Sequence, residues 1–184
     1  QYFSAILFSS AGKDALEYLL KRGLKEEPIR EFKLGYIPSQ SELLKKYFIS
    51  RRIPIEKGEA AGLFLRKGSD TYDRFRGRIM FPIEDRLGRT VGFTGRIFET
   101  DGARLKDRGE REGKYVNTPE TAIFNKSKLF YGFSTTKHAI REQNACVFVE
   151  GQMDFLMSYQ AGLKNVVATS GTAMTQDHLT QLKY

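Results

Sequence analysis

The sequence predicts an α/β protein in two unequal parts. A mixed α+β region with a small antiparallel sheet occupies 1–143, and the first half of a parallel α/β fold occupies 144–184. Three observations point there. Helical spacing of apolar residues fills the first third. Two short apolar runs joined by a polar, Gly-bearing loop follow it. The tail then alternates strand-like and helix-like segments, which implies parallel strands.

Each element follows from local chemistry. Over 11–24, Ala15, Leu16, Leu19, Leu20 and Leu24 recur at helical spacing, and Gly23 is the stop. A short helix is expected around Pro28–Phe32, ending in a turn over Leu34–Pro38. Leu43, Leu44, Tyr47 and Phe48 predict a helix over 41–50, and Ile55–Leu63 a further one. Arg78–Glu84 and Thr90–Phe98 form a hairpin around Gly88. The charged stretch 99–114 is a loop, and Ser134–Gln143 is a helix. Ala145–Glu150 is a buried strand, Met153–Ala161 a helix closed by Gly162, and Asn165–Thr169 a second strand. Thr175 caps a last helix to Leu182. A two-stranded parallel sheet cannot cover both its faces, so the tail is expected to lean on the first region or on further chain.

Composition narrows the function classes. With 184 residues, 40% of them hydrophobic, and 14 Phe and 9 Tyr, the chain can bury a core. Cys146 is the only cysteine and there are two histidines, which excludes a disulfide scaffold and a Cys-based zinc site. No apolar run approaches the ~20 residues of a membrane span, and no secretory leader opens the sequence, so a cytoplasmic protein is expected. A formal charge of +8 favours a polyanionic partner.

Four stretches carry candidate chemistry. In Val149–Asp154, Glu150 ends a strand and Asp154 lies four residues on, at the carboxyl end of a parallel sheet where ligands bind. Two carboxylates there suit Mg²⁺ or Mn²⁺; the plainer reading makes Asp154 a first-turn acid favoured by the helix dipole. Arg74, Arg76 and Arg78 are expected on one strand face, able to meet phosphate, or simply solvated. Residues 114–126 interleave lysines with Tyr115, Asn117 and Phe124, a pattern for nucleotide or single-stranded nucleic acid, although Tyr115, Phe124 and Tyr131 read more simply as core or cover. Ala168–Ala173 is a small-residue loop able to approach an anion. His138 and His178 are expected on the surface, and Cys146 in the core.

In their order, these segments resemble the RNA-polymerase core of bacterial DnaG-type DNA primases. Residues 18–24 (YLLKRGL) and 32–38 (FKLGYIP) are similar to that family's YLxxRGL and FxxGYxP. Residues 73–83 (DRFRGRIMFPI) with 92–96 (GFTGR), and 114–121 (KYVNTPET) with 124–126 and 129–132, resemble its central motifs. Residues 149–154 (VEGQMD) resemble the EGYMD signature of the Toprim fold, and 168–173 (ATSGTA) its ATLGTA loop.

The resemblance implies template-directed synthesis of short RNA on single-stranded DNA. Ribonucleoside triphosphates would be substrates and an RNA–DNA primer duplex the product. It makes Glu150 the catalytic acid/base and, with Asp154, a ligand of Mg²⁺ or Mn²⁺. Arg96, Lys114, Asn117, Thr118, Lys126 and Arg22 match nucleotide- and DNA-facing positions. Zinc and the replicative helicase are expected to bind domains outside this stretch. No Asp-x-Asp follows Glu150, so the chain is expected to hold one wall of the metal site and to be inactive alone. Gln152 for Tyr and Thr94 for Gly depart from the motifs without touching the implied chemistry. A non-catalytic nucleic-acid-binding module, or another Toprim enzyme such as a topoisomerase or nuclease, are the alternatives.

Overall fold

The computed structural model describes residues 1–39, 42–98, 113–171 and 173–183. The loop expected over 99–114 lies, apart from its last two residues, outside them.

Helix α1 (Tyr2–Leu7) packs Phe3 and Leu7, four residues apart, into the interior. It was not foreseen, because an apolar segment this short has no polar face to set its period. Helix α2 (Lys13–Lys21) carries Asp14 in its first turn and Lys21 in its last, as the helix dipole favours, and Gly23 at φ +90° ends it. Helix α3 spans Glu26–Glu31.

The stretch expected as a turn after α3 is instead strand β1 (Gly35–Ile37), fully buried and antiparallel to β4 (Arg78–Glu84). Tyr36 and Ile37 point to opposite sides of the sheet and enter different cores, which holds the segment extended. Helices α4 (Leu43–Ser50) and α5 (Ile55–Ala60) follow. The hairpin of β2 (Phe64–Lys67) and β3 (Asp70–Asp73) turns on Gly68–Ser69, with Gly68 at φ +62°. Its strands are mostly polar, so no alternation announced it. Strands β4 and β5 (Thr90–Ile97) form the expected hairpin, and β6 (Tyr115–Asn117) completes a sheet ordered β1-β4-β5-β6.

No side chain caps the start of α4 from its own helix, and Asp73 at the end of β3 takes that role. Its carboxylate accepts from the Leu44 and Lys45 amides at 3.1 and 3.3 Å. Burial outweighs these bonds and raises the Asp73 pKa. The folded state therefore holds the proton more tightly than the unfolded chain does. The resulting stabilisation is fully present below the ordinary carboxylate range and is lost as pH rises through the raised value. Asp73→Asn mimics the neutral acid. Its melting temperature relative to the parent should move in the variant's favour between about pH 3 and about pH 7; a shift of opposite sign would refute this account.

The tail forms α6 (Phe133–Gln143), β7 (Val147–Val149), α7 (Gln152–Gln160), β8 (Val166–Ala168) and α8 (Gln176–Gln181). Strands β7 and β8 pair in parallel, as expected. β8 is buried, and Ala168 also exchanges two backbone hydrogen bonds with Tyr131. β7 is not the buried strand its apolar run suggested: Val147 and Phe148 are 37% and 38% exposed, because among the described residues β7 pairs with β8 alone.

Two further expectations fail in the same region. His178 is fully buried, stacked on Phe130 with ring centroids 4.6 Å apart. Its Nδ1 accepts from the Thr175 amide, and its Nε2 lies 3.3 Å from the Leu129 carbonyl oxygen. These partners satisfy both ring nitrogens and make burial tolerable. His138 is exposed, as expected. Cys146 is only half-buried, and burial pushes its thiol up to about 11.

The main sheet is covered on both faces. On one, Phe3, Ile37, Phe48, Phe64, Phe75 and Met80 form a core with α4 and the β2–β3 hairpin. On the other, Ile79, Phe81 and Ile83 join Leu19 and Phe32 from the first region with Phe155, Leu156 and Val166 from the tail. The tail does lean on the first region. Gly132 permits the contact: its φ is +83°, and a Cβ there would collide with the Phe155 ring.

Candidate nucleotide and metal site

Strand alternation places Thr94 and Arg96 of β5 on one face of the sheet. Their cross-strand partners on β6 are Asn117 and Tyr115. The same face receives the N-terminus of α7. Between them lies a cleft of about 430 Å³, lined by Thr94, Tyr115, Asn117, Lys126 and the 150–154 and 170–171 segments. The parallel strand β7 ends in it, which brings Glu150 to the rim with an exposed side chain. The Glu150 carbonyl accepts from the Gly171 amide at 3.3 Å, tying the β7–α7 turn to the loop after β8. Ser170 and Gly171 take left-handed φ of +58° and +72°, which folds that loop back toward Glu150.

The structure brings Glu150 and Asp154 together with Asn117 and Lys126, from two separate stretches of sequence. Asp154 is exposed in the first turn of α7, and its Oδ2 accepts from the Gly151 amide at 3.2 Å. It is thus the first-turn acid of the plainer reading and a cleft residue at once. The donors fit a hard divalent cation in kind: both Glu150 oxygens and Asp154 Oδ1 accept no described hydrogen bond. Among the described residues no cluster of three metal-binding side chains occurs, and the described cleft lining offers two carboxylates, Glu150 and Asp154. Lys126 Nζ lies 3.4 Å from the Gly171 carbonyl, and partial burial lowers its pKa.

Other predicted residues lie nearby. Arg96 stands on the cleft face of β5, its guanidinium 4.9 Å from the Tyr18 ring centroid. Lys114 is exposed just before β6. Tyr115 is 40% exposed and lines the cleft, so it is neither core nor cover, whereas Phe124 and Tyr131 are buried. Arg22 is exposed at the end of α2 and does not line the cleft.

Four predicted positions are corrected. Arg74, Arg76 and Arg78 do not share a strand face, because residues 74–77 form the turn between β3 and β4. Arg78 is 1% exposed, and its Nη1 donates to the Gly95 and Gly113 carbonyls at 3.1 and 3.2 Å. Along β4 it alternates with Ile79, so it lies on the face opposite the cleft. Arg74 is half-buried, which lowers its pKa, and Arg76 sits 5.9 Å from the Tyr72 ring centroid. Thr118 is 3% exposed, and its Oγ1 accepts from the Phe93 amide at 2.8 Å, so its hydroxyl holds the sheet together. Sequence reasoning passed over Thr94 and Gln152 as neutral departures. Both prove to line the cleft, a fact that only the strand register exposes.

Comparison with known proteins bears directly on this site. The family described as DNA primase catalytic core, N-terminal domain, matches residues 2–137, and the Toprim domain family matches residues 144–184. This chain belongs to the DNA primase catalytic-core family. DNA primases of Staphylococcus aureus and Enterococcus faecalis are 39% and 35% identical over 99% of the chain. The chain spans only 29% and 28% of their lengths. The RNA polymerase domain of Mycobacterium tuberculosis primase DnaG, solved with a double-stranded DNA oligomer bearing a 6-nucleotide overhang, superposes with a TM-score of 0.87. It is 34% identical, with 98% of this chain and 54% of that chain covered. The mixed α/β architecture with its parallel strand pair is therefore the primase and Toprim architecture. Among the described residues no helix is long and apolar enough to cross a membrane.

Proposed function

We propose that this chain is part of the catalytic core of a primase that builds short RNA on single-stranded DNA by metal-assisted nucleotidyl transfer. The observation that carries the reading is the cleft itself, where the exposed Glu150 and Asp154 face Asn117 and Lys126 across about 430 Å³. Glu150 and Asp154 would hold Mg²⁺ or Mn²⁺, which neutralises phosphate charge and aligns the attacking and leaving oxygens when bound. The chain's own residues bind and orient. Lys126 meets phosphate, Tyr115 offers a ring for a base, and Asn117 hydrogen-bonds the nucleotide. Glu150 would take the proton of the 3′ hydroxyl as that oxygen bonds to the α-phosphorus and pyrophosphate leaves.

Arg96, Lys114 and, farther out, Arg22 carry the template and the growing RNA–DNA duplex. In this reading 1–143 is the nucleic-acid-facing part, and 144–184 the start of the metal-bearing Toprim part. Zinc and the replicative helicase would bind other parts of a longer cytoplasmic protein. The primase match over 2–137 favours this reading over a topoisomerase or nuclease.

Salt dependence tests the surface. The affinity of the full-length protein for single-stranded DNA should fall linearly with log salt. Arg96→Ala or Lys114→Ala should each reduce the slope by about 0.7. An unchanged slope and affinity in both variants would remove these cations from the DNA-binding face.

A further inference from the structure

Three cleft side chains are joined in a line. Gln152 Nε2 donates to Thr94 Oγ1 at 2.9 Å, and Thr94 Oγ1 donates to Asn117 Oδ1 at 2.6 Å. Gln152 and Thr94 are 3% and 1% exposed, whereas Asn117 is half-buried at the cleft end. The line crosses the site. It starts on the first residue of α7, the helix that presents Asp154, passes through the middle of β5, and ends on β6.

The chemistry of the hydroxyl gives the line a direction. Thr94 has one proton to donate and lone pairs to accept with. Because its proton goes to Asn117 Oδ1, Thr94 must accept from its other neighbour, and the Gln152 amide supplies that proton. With Oδ1 turned inward, the Asn117 NH₂ group faces the cleft. The two ends of a carboxamide are nearly the same size, so hydrogen bonds and not packing choose between them, and reversing the Gln152 end would reverse the whole line. A buried amide is costly unless paired, and here the pairing has a defined polarity.

We infer that Gln152 and Thr94 are positioning residues that lock the Asn117 amide so that it offers the cleft donors rather than an acceptor. Donors suit an oxygen-rich ligand, such as the sugar or phosphate of a nucleotide. The inference rests on the nucleotide reading of the cleft given above. It also assigns a role to two of the positions at which this sequence departs from its family's motifs: they are partners in one hydrogen bond.

Inverting the line tests it. In Gln152→Glu the carboxylate can only accept, so the Thr94 proton turns toward it. Thr94 then accepts from Asn117, and the amide presents its carbonyl to the cleft. In primer synthesis by the full-length protein, with ATP varied and the other nucleotides saturating, KM for ATP should rise about three- to tenfold. kcat should stay within about twofold, the pattern of lost ground-state binding.

Thr94→Val, which cuts the line at similar volume, should raise KM as well, and Thr94→Ser should restore it. If the buried carboxylate of Gln152→Glu lowers the melting temperature, Thr94→Val and Thr94→Ser decide the question. Asn117→Ala should raise KM by at least as much, and the Gln152→Glu/Asn117→Ala double variant should be no worse than Asn117→Ala alone.

A parental KM in Gln152→Glu and Thr94→Val, beside a raised one in Asn117→Ala, would overturn the inference. So would additive effects in the double variant. An unchanged KM in both Asn117→Ala and Lys126→Ala would instead overturn the nucleotide reading, and this proposal with it.

Discussion

Glu150→Gln in the full-length protein is expected to lower primer synthesis by about a thousandfold or more, while affinity for single-stranded DNA stays within about twofold. The amide keeps the size of the side chain and removes its charge. Glu150 is exposed at the rim and accepts no described side-chain hydrogen bond, so the substitution disturbs no packing. What it removes is the charged oxygen donor beside Asp154, and with it the means of holding a divalent cation against a triphosphate. Asp154→Asn should cost less, because one of its oxygens is already engaged with the Gly151 amide. Primer synthesis by Glu150→Gln at a rate near the parent's would end the proposal that this carboxylate is catalytic.

Phe155→Ala is expected to destabilise the chain by about 3–5 kcal/mol, a large share of the roughly 5–15 kcal/mol margin of a typical domain. Phe155 is fully buried in the core shared by both regions. Its ring meets Phe32 and Tyr131 edge-on, with centroids 5.0 and 5.1 Å apart, and stacks on Tyr159 at 5.8 Å. Truncation would leave a cavity among aromatic rings from three elements, none of which can collapse into it without leaving its other partners. Urea unfolding of the 184-residue chain reads the loss directly. A change under about 1 kcal/mol would mean that the tail is not held by this contact.

Much of this organisation was readable before any coordinates, and the reasons for the failures are physical. Helix α2 and the β4–β5 hairpin carry strong periods and clear stops, Gly23 and Gly88, so they were placed to within a few residues. The β2–β3 hairpin went unseen because its strands, FLRK and DTYD, are mostly polar and carry no apolar alternation, although Phe64 enters the core.

The arginine triplet misled because a period of two was extended through a turn. The count is right within β4, but it cannot cross residues 74–77. His178 misled because polarity ranks histidine outward, whereas a ring with both nitrogens satisfied packs like an aromatic one. Glu150 and Asp154 were read as one pair, and Asn117 and Lys126 as parts of another stretch. Their convergence, and the parts played by Thr94 and Gln152, depend on which strand lies beside which, and single-sequence spacing does not contain that register.

The shared aromatic core has a consequence for how the chain can be divided. The stretches matching the two families meet between residues 137 and 144, and a cut there looks natural on paper. Yet Phe32 and Tyr131 lie on one side of it, with Phe155, Leu156 and β8 on the other. Severed, each piece would bare a greasy wound with no partner and would aggregate or seize whatever apolar surface came near. The two stretches are units of inheritance; the unit of folding is their sum.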